Sequence, residues 1–213
     1  ARLGSQLSEK FKRIVLGGQA PPPDLPPNVV STYGMTETGS GIAYDGVPLD
    51  GVELRITGGE IEVRGEMLLR AYRDGVDPKR DGWLRTGDAG RLLDGRLTVD
   101  GRLGDMIISG GENIWPLALE RLLGSDPAIA QIAVVGLPDP EWGQRVTAFV
   151  VGRDTASPDP DALLARLRES VTEELAAYAA PREVVIVPSL PVTALGKVQK
   201  DLLDPTAGPS ARL

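Results

Sequence analysis

Residues 101–120, GRLGDMIISGGENIWPLALE, constrain the fold more than any other stretch of this chain. A charged turn, Arg102-Leu103-Gly104-Asp105, runs into the β-branched pair Ile107-Ile108. The backbone then meets Gly110-Gly111, where steric restriction is least. Pro116 suits the first turn of a helix, because that turn needs no amide donor there. Turn, strand, glycine loop and helix start read as a joint between two units, with a backbone-lined passage beside it. An ordinary loop between a strand and a helix would use the same residue types.

The patterns on either side differ in kind. Before the joint, Val52, Leu54 and Ile56 alternate up to Gly58-Gly59, and Ile61 and Val63 alternate after it, which predicts a hairpin. A second hairpin is expected across Asp94-Gly95, between residues 91–93 and 96–99. Short strands are expected at 11–16 and 29–32, separated by the proline clusters Pro21-Pro22-Pro23 and Pro26-Pro27, a stiff extended connector. After the joint, 117–123 reads as a short helix, and 131–136, 146–151 and 183–187 as strands. Leu163, Leu167, Val171 and Leu175 recur every four residues behind Pro160 and Asp161, the pattern of an amphipathic helix. Residues 191–200 form a glycine-lysine loop before a brief helix, and the tail 205–213 reads as frayed.

Composition narrows the chemistry. The 213 residues allow one large domain or two small ones, roughly 100–200 residues being usual for each. An apolar fraction of 41% supports real cores, and a net charge of −7 without a basic stripe argues against a nucleic-acid platform. No apolar run approaches the ~18 residues that a membrane helix needs, and no signal-peptide pattern opens the sequence, so a cytoplasmic protein without membrane insertion is expected. There are no cysteines and no histidines. Thiol nucleophiles, Ser-His-Asp triads and His-ligated zinc are therefore excluded, and chemistry falls to Lys, Arg, Asp, Glu, Thr, backbone amides or a bound ion. Such a set favours electrostatic handling of anionic groups.

Three loops fit that chemistry. Tyr33-Gly34-Met35-Thr36-Glu37-Thr38-Gly39-Ser40-Gly41 follows a strand with hydroxyls, a carboxylate and glycines. It suits phosphate oxygens on Thr hydroxyls and amides, with Glu37 holding a divalent cation; a plain polar turn has the same composition. Asp88, in Gly82-Trp83-Leu84-Arg85-Thr86-Gly87-Asp88, lies at the entry to a strand, where a carboxylate can accept two hydrogen bonds from a vicinal diol or simply close a turn. The third is the loop around Lys197.

The order of these loops, with Gly59-Glu60-Ile61-Glu62-Val63-Arg64-Gly65 between the first two and residues 101–120 before the third, resembles the successive core motifs of adenylate-forming enzymes. That superfamily includes acyl-CoA synthetases, peptide-synthetase adenylation domains and beetle luciferases; the resemblance covers about residues 11–203. It implies an α/β and α+β fold: a small twisted β unit ending a large N-terminal region (1–101), then a hinge and a compact α+β C-terminal lid (102–213). Gly110-Gly111-Glu112-Asn113-Ile114 with Pro116 resembles the form typical of acyl- and aryl-CoA synthetases. The rapid passage from the Tyr33 loop to residues 52–56 resembles bacterial ligases related to o-succinylbenzoate–CoA ligase of menaquinone synthesis.

The resemblance implies that a carboxylic acid and ATP give acyl-AMP and pyrophosphate, and that coenzyme A then displaces AMP, with Mg²⁺ as cofactor. It implies that Tyr33 and Gly34 meet adenine, Thr36 contacts phosphate and Glu37 ligates Mg²⁺. Asp88 would hold the ribose hydroxyls, Arg102 would reach ribose or phosphate, and Lys197 would bridge the carboxylate and α-phosphate. Gly110, Gly111 and Glu112 would line the CoA passage, Gly104 would be the hinge, and Gly17-Gly18 would flank the acyl and nucleotide pocket. A homodimer of the full-length enzyme stays open. The sequence departs from the family in three places. The upstream Ser/Thr/Gly-rich phosphate loop with its lysine is absent, so the 213 residues alone are expected to be nearly inactive. Gly104 replaces the usual Asp or Lys hinge residue, and Ser31 stands where many relatives have asparagine. Loading of a carrier protein and a non-catalytic nucleotide-binding remnant are the alternative readings.

Overall fold

The computed structural model describes residues 10–18, 25–153, 158–194 and 196–213. The connector prolines Pro21-Pro22-Pro23 and Leu195 of the lysine loop lie outside the described residues. The chain separates into two compact units, Ala1–Gly104 and Asp105–Leu213.

The first unit contains two four-stranded sheets. One runs β1 (Ile14–Leu16), β2 (Val29–Gly34), β3 (Gly41–Tyr44) and β4 (Val47–Pro48), with β1 and β2 parallel. The other is an antiparallel meander of β5 (Glu53–Thr57), β6 (Glu60–Arg64), β7 (Leu84–Leu93) and β8 (Arg96–Arg102). Both expected hairpins form. Asp94 and Gly95 take positive φ of 48° and 73°, the backbone that a two-residue hairpin loop requires. Period-two alternation puts Ile61 and Val63 inside with Ile42 and Leu97, and Tyr33, Val52, Leu54 and Ile56 pack around them.

The second unit is a six-stranded sheet with two helices. Strand order is β10 (Glu112–Ile114), β9 (Ile107–Ser109), β12 (Gly143–Gly152), β13 (Glu183–Ile186) and β14 (Ser210–Arg212), with β11 (Ile129–Asp139) also paired to β12. Helix α1 (Pro116–Leu123) has Pro116 in its first turn, as its sequence predicts, and α2 is Pro160–Glu174. Alternation along β12 sends Val146, Ala148 and Val150 to one face, where Leu119, Leu123, Leu163, Leu164, Leu167 and Val171 of the helices cover them. Phe149 faces the other side with Ala133, Val185, Val187 and Leu190, and Val198 and Leu203 pack against this group. Each fully buried aliphatic side chain here contributes about 1.5–3 kcal/mol.

Three expectations are corrected. The glycine pair 110–111 is the turn of a β9–β10 hairpin, with φ of 60° and 85°, and not a loop leading straight from strand to helix. Leu175 is not part of the apolar stripe of α2: it follows the helix end and is exposed, while Leu164 takes the buried place. The tail is not frayed, because Val184 pairs with Ala211 and Glu183 with Arg212, and Arg212 Nη2 lies 2.8 Å from Asp139 Oδ2. Ala211 is 4% exposed inside the helix-side core. Ala211→Asp is therefore expected to destabilise the chain by about 3 kcal/mol or more, because it buries an uncompensated charge. Ser210→Asp on the exposed side should stay within about 0.5 kcal/mol. Urea denaturation of the two variants checks this difference.

Candidate functional site

The polar site of the first unit is built where the β6–β7–β8 ladder is irregular. Between the pairs Glu60↔Ala89 and Glu62↔Arg85, β6 advances two residues while β7 advances four. Thr86-Gly87-Asp88 thus bulges out of the ladder, and Gly87 takes φ 72° to allow it. Side chains satisfy the backbone groups that the ladder no longer pairs. The Thr86 hydroxyl donates to the Ile61 carbonyl at 2.8 Å and accepts from the Asp88 amide at 3.1 Å. The Gly87 amide donates to Glu60 Oε1 at 2.9 Å, and Glu60 is itself held by Arg85 Nε at 2.7 Å.

A second irregularity lies on the opposite edge of β7. Gly90 pairs with Val99 but Ala89 pairs with Gly101, so one step on β7 matches two on β8 and Asp100 is the extra residue. Continuing the outer register would set Asp88 against Gly101. The bulge sets it against Arg102 instead, and a one-residue slip would turn that side chain to the other face. Arg91 holds the bulged Asp100 through Nη2–Oδ1 at 2.9 Å and Nε–Oδ2 at 3.1 Å.

These bulges bring three of the expected residues together. The Tyr33 hydroxyl, from β2, donates to Asp88 Oδ2 at 2.8 Å. Arg102 Nε lies 2.9 Å from Asp88 Oδ1, and its Nη1 donates to the Thr86 carbonyl at 2.9 Å. Asp88 is buried mid-strand, not at the strand entry that its sequence suggests. Burial pushes the Tyr33 phenol well above its ordinary 10.0; the Asp88 carboxylate adds to the rise, and Thr86 and Arg102 oppose it without offsetting it. Tyr33 is therefore a neutral donor at any physiological pH.

The loop after β2 carries the other expected residues of this unit. Gly34 ends the strand, and a Cβ there would run into the Ser40 carbonyl and the Gly41 backbone. Thr36, exposed, and Glu37, half-buried, sit in the short 3-10 turn Thr36–Thr38. The Thr38 hydroxyl braces that turn: it accepts from the Met35 amide at 2.9 Å, and its one proton is in reach of the Ser40 carbonyl at 2.7 Å and the Met35 carbonyl at 2.9 Å. Glu37 Oε1 accepts from the Tyr72 hydroxyl at 3.1 Å, which holds that phenol above its ordinary range. Ser31 bonds Asp45 through its amide at 2.8 Å and its hydroxyl at 3.1 Å, so the residue that departs from the family secures a turn. A cavity of about 210 Å³ is lined by Gly18, Thr32, Gly34, Met35, Ser40 and Gly41. Among the described residues no group of three or more Asp, Glu, His or Cys could cage a metal ion. Mg²⁺ shared with phosphates needs only one or two carboxylates, and Glu37 supplies one in this loop.

In the second unit Lys197 and the glycine pair belong to separate hairpins. Lys197 is exposed beside the bridge between Val192 and Val198. Gly110 donates its amide to the Trp142 carbonyl at 2.9 Å, and a Cβ on it would press on the Trp142 ring at 3.0 Å. The Arg182 guanidinium lies 3.5 Å from the centre of the same ring. Glu112 is exposed at the start of β10. Gly104 sits in the turn Leu103–Asp105, and a Cβ on it would meet nothing within 4 Å, so its present conformation does not demand glycine. Sequence reading alone misses Thr86, although it lies inside one of the motifs, and Tyr72, whose pairing with Glu37 across 35 residues leaves no local signal.

Comparison with known proteins gives the chain's relatives. Residues 118–197 match the AMP-binding enzyme C-terminal domain family. A probable 2-succinylbenzoate–CoA ligase of Mycobacterium tuberculosis is 42% identical over 210 residues, covering 92% of this chain and 54% of the relative. The indoleacetate–CoA ligase of Aromatoleum aromaticum is 47% identical over 148 residues, 67% of this chain and 28% of that protein. The o-succinylbenzoate CoA synthetase MenE of Bacillus subtilis, solved with its acyl-adenylate intermediate, superposes with a TM-score of 0.81 at 31% identity, over 96% of this chain and 50% of that one. The chain spans about half the length of the succinylbenzoate–CoA ligase from Mycobacterium tuberculosis.

The Thr86 hydroxyl is the test of how the bulge is held. Thr86→Val keeps the shape but removes the hydroxyl that bonds the Ile61 carbonyl and the Asp88 amide. It is expected to cost about 1–3 kcal/mol of stability, read from the urea midpoint at unchanged slope.

Proposed function

We propose that this chain, which belongs to the C-terminal portion of the adenylate-forming enzymes, serves an ATP-dependent carboxylate–CoA ligase acting on an aryl acid of the 2-succinylbenzoate type. The observation that carries the reading is the Tyr33–Asp88–Arg102 node, with Tyr33 and Arg102 donating to one buried carboxylate. The names of the relatives support the acid and the acceptor.

In the first half-reaction a carboxylate oxygen of the acid attacks the α-phosphorus of ATP. The bond to the bridging oxygen breaks, and pyrophosphate leaves with its electron pair. In the second, the CoA sulfur attacks the acyl carbon, the thiol proton passes to solvent, and AMP departs with the electron pair of the broken acyl carbon–oxygen bond. Asp88 receives the ribose hydroxyls, while Tyr33 orients that carboxylate and presents its ring to the adenine. Arg102 adds a cation beside ribose and phosphate. Thr36 donates to a phosphate oxygen, and Glu37 would hold Mg²⁺, whose charge, when bound, would offset that of the phosphates. Lys197 places a cation between the carboxylate and the α-phosphate, where negative charge concentrates in the transition state. Gly110, Gly111 and Glu112 flank the path of the pantetheine arm. Residues 102–213 act as the lid, and Gly104 is the pivot on which it changes pose between the two half-reactions.

Lys197→Ala in the full-length enzyme tests the assignment. ATP–pyrophosphate exchange with 2-succinylbenzoate is expected to fall by about 10²–10³-fold, as when one charge-stabilising donor is lost from a dry site. Thioester formation from pre-formed acyl-AMP should continue, because the lysine serves only the first half. Equal losses in both halves would contradict the role.

A further inference from the structure

The lysine hairpin is well made within itself. The Gly196 amide donates to the Thr193 carbonyl and the Thr193 amide to the Lys197 carbonyl, each at 2.8 Å. The Lys197 amide donates to Thr193 Oγ1 at 3.1 Å, and the Gln199 amide to the Pro191 carbonyl at 2.9 Å. These bonds fix the hairpin's shape but not where it points. Its direction depends on what its base holds. Val198 and Leu203 rest against the sheet face around Phe149, Val185 and Leu190, but apolar contact is non-directional and allows sliding.

The directional contact at the base is Lys200. Its Nζ lies 2.7 Å from Glu120 Oε1 on α1 and donates to the Val134 carbonyl on β11 at 3.1 Å. Asp105 Oδ2 is 3.8 Å away, in the residue that follows Gly104. Glu120 Oε1 also accepts the Val134 amide at 2.8 Å, so lysine, carboxylate and both polar groups of Val134 form one closed set. The Lys200 and Glu120 side chains are 23% and 21% exposed, which shields their attraction from solvent far more than an open surface pair.

We infer that Lys200 is a positioning residue: it aims the Lys197 amine by tying the base of the hairpin to α1, β11 and the chain just past the pivot. The inference rests on the role proposed for Lys197. Two cations three residues apart then divide the work, one exposed and free to meet substrate, the other committed to the frame.

The test compares Lys200→Met, Lys200→Arg and Glu120→Gln in the full-length enzyme, with Lys197→Ala beside them. Both half-reactions and the melting temperature are measured for each. Lys200→Met is expected to lower ATP–pyrophosphate exchange by about 10²-fold, the cost of a misplacement near 1 Å, while thioester formation from acyl-AMP stays within about threefold. Arginine should recover about tenfold of the loss, since it still reaches Glu120 with a charged donor. Glu120→Gln keeps an acceptor for the Val134 amide, and should show the same asymmetry at about tenfold. Parallel loss of both half-reactions with a fall in melting temperature across these variants would reduce Lys200 to a structural residue and overturn the inference. Unchanged exchange in Lys200→Met, with exchange lost in Lys197→Ala, would overturn it while leaving the reading of the site intact. Unchanged exchange in Lys197→Ala would overturn both.

Discussion

The paired bulges along the two edges of β7 are the constraint on which the first unit depends. A regular ladder would set Gly101 opposite Asp88 and would turn Arg102 away. One extra residue on β8 and two on β7 convert a plain meander into a frame that points Asp88, Arg102 and Tyr33 at one another. A bulge leaves backbone groups unpaired, and here Thr86 and Glu60 supply the missing partners. Within the Arg85-Thr86-Gly87-Asp88 run, the residues that hold the bulge and the one that meets Tyr33 and Arg102 are therefore different. Thr86 and Gly87 make the bulge possible, and Asp88 is turned by it toward Tyr33 and Arg102.

The second unit carries its candidate residue, Lys197, on an exposed loop. Its central strand β12 is buried on both faces, with helices over one and Val187, Leu190, Val198 and Leu203 over the other. That second layer carries the Lys197 hairpin with it, so the same burial that stabilises the sheet holds the lysine proposed for the chemistry. Lys200 and Glu120 add direction to a layer whose apolar contacts have none. Packing and chemistry are thereby joined at one loop.

What is local in this fold is legible in the sequence. The hairpins at Gly58-Gly59 and Asp94-Gly95 and the proline-started helices follow from turn chemistry and period, and all form. What is non-local is not legible. Strand β14 is three residues with one buried side chain, too short for any period, and it exists because the edge of β13 accepts it. Strand β10 is hidden because Gly110-Gly111 reads equally as a loop or a hairpin turn until its pairing with β9 is known. The site residues Tyr33, Asp88 and Arg102 are legible as motif members, but the register shift that unites them has no signature in residue type. Lys200 is legible only as the last letter of a motif, since its partners lie 66 and 80 residues away in the chain.

The role of the Asp88 node is tested most directly by titrating a stable acyl-adenylate mimic and its 2′,3′-dideoxy form into the full-length enzyme by calorimetry. In the wild type, removing the two hydroxyls should weaken binding by about 100-fold, as expected for hydrogen bonds to a buried charged acceptor. In Asp88→Ala the parent mimic should already bind weakly, and the dideoxy form should bind about as well as the parent. A penalty of equal size in both proteins would show that the ribose does not rest on Asp88, and would contradict the proposed site.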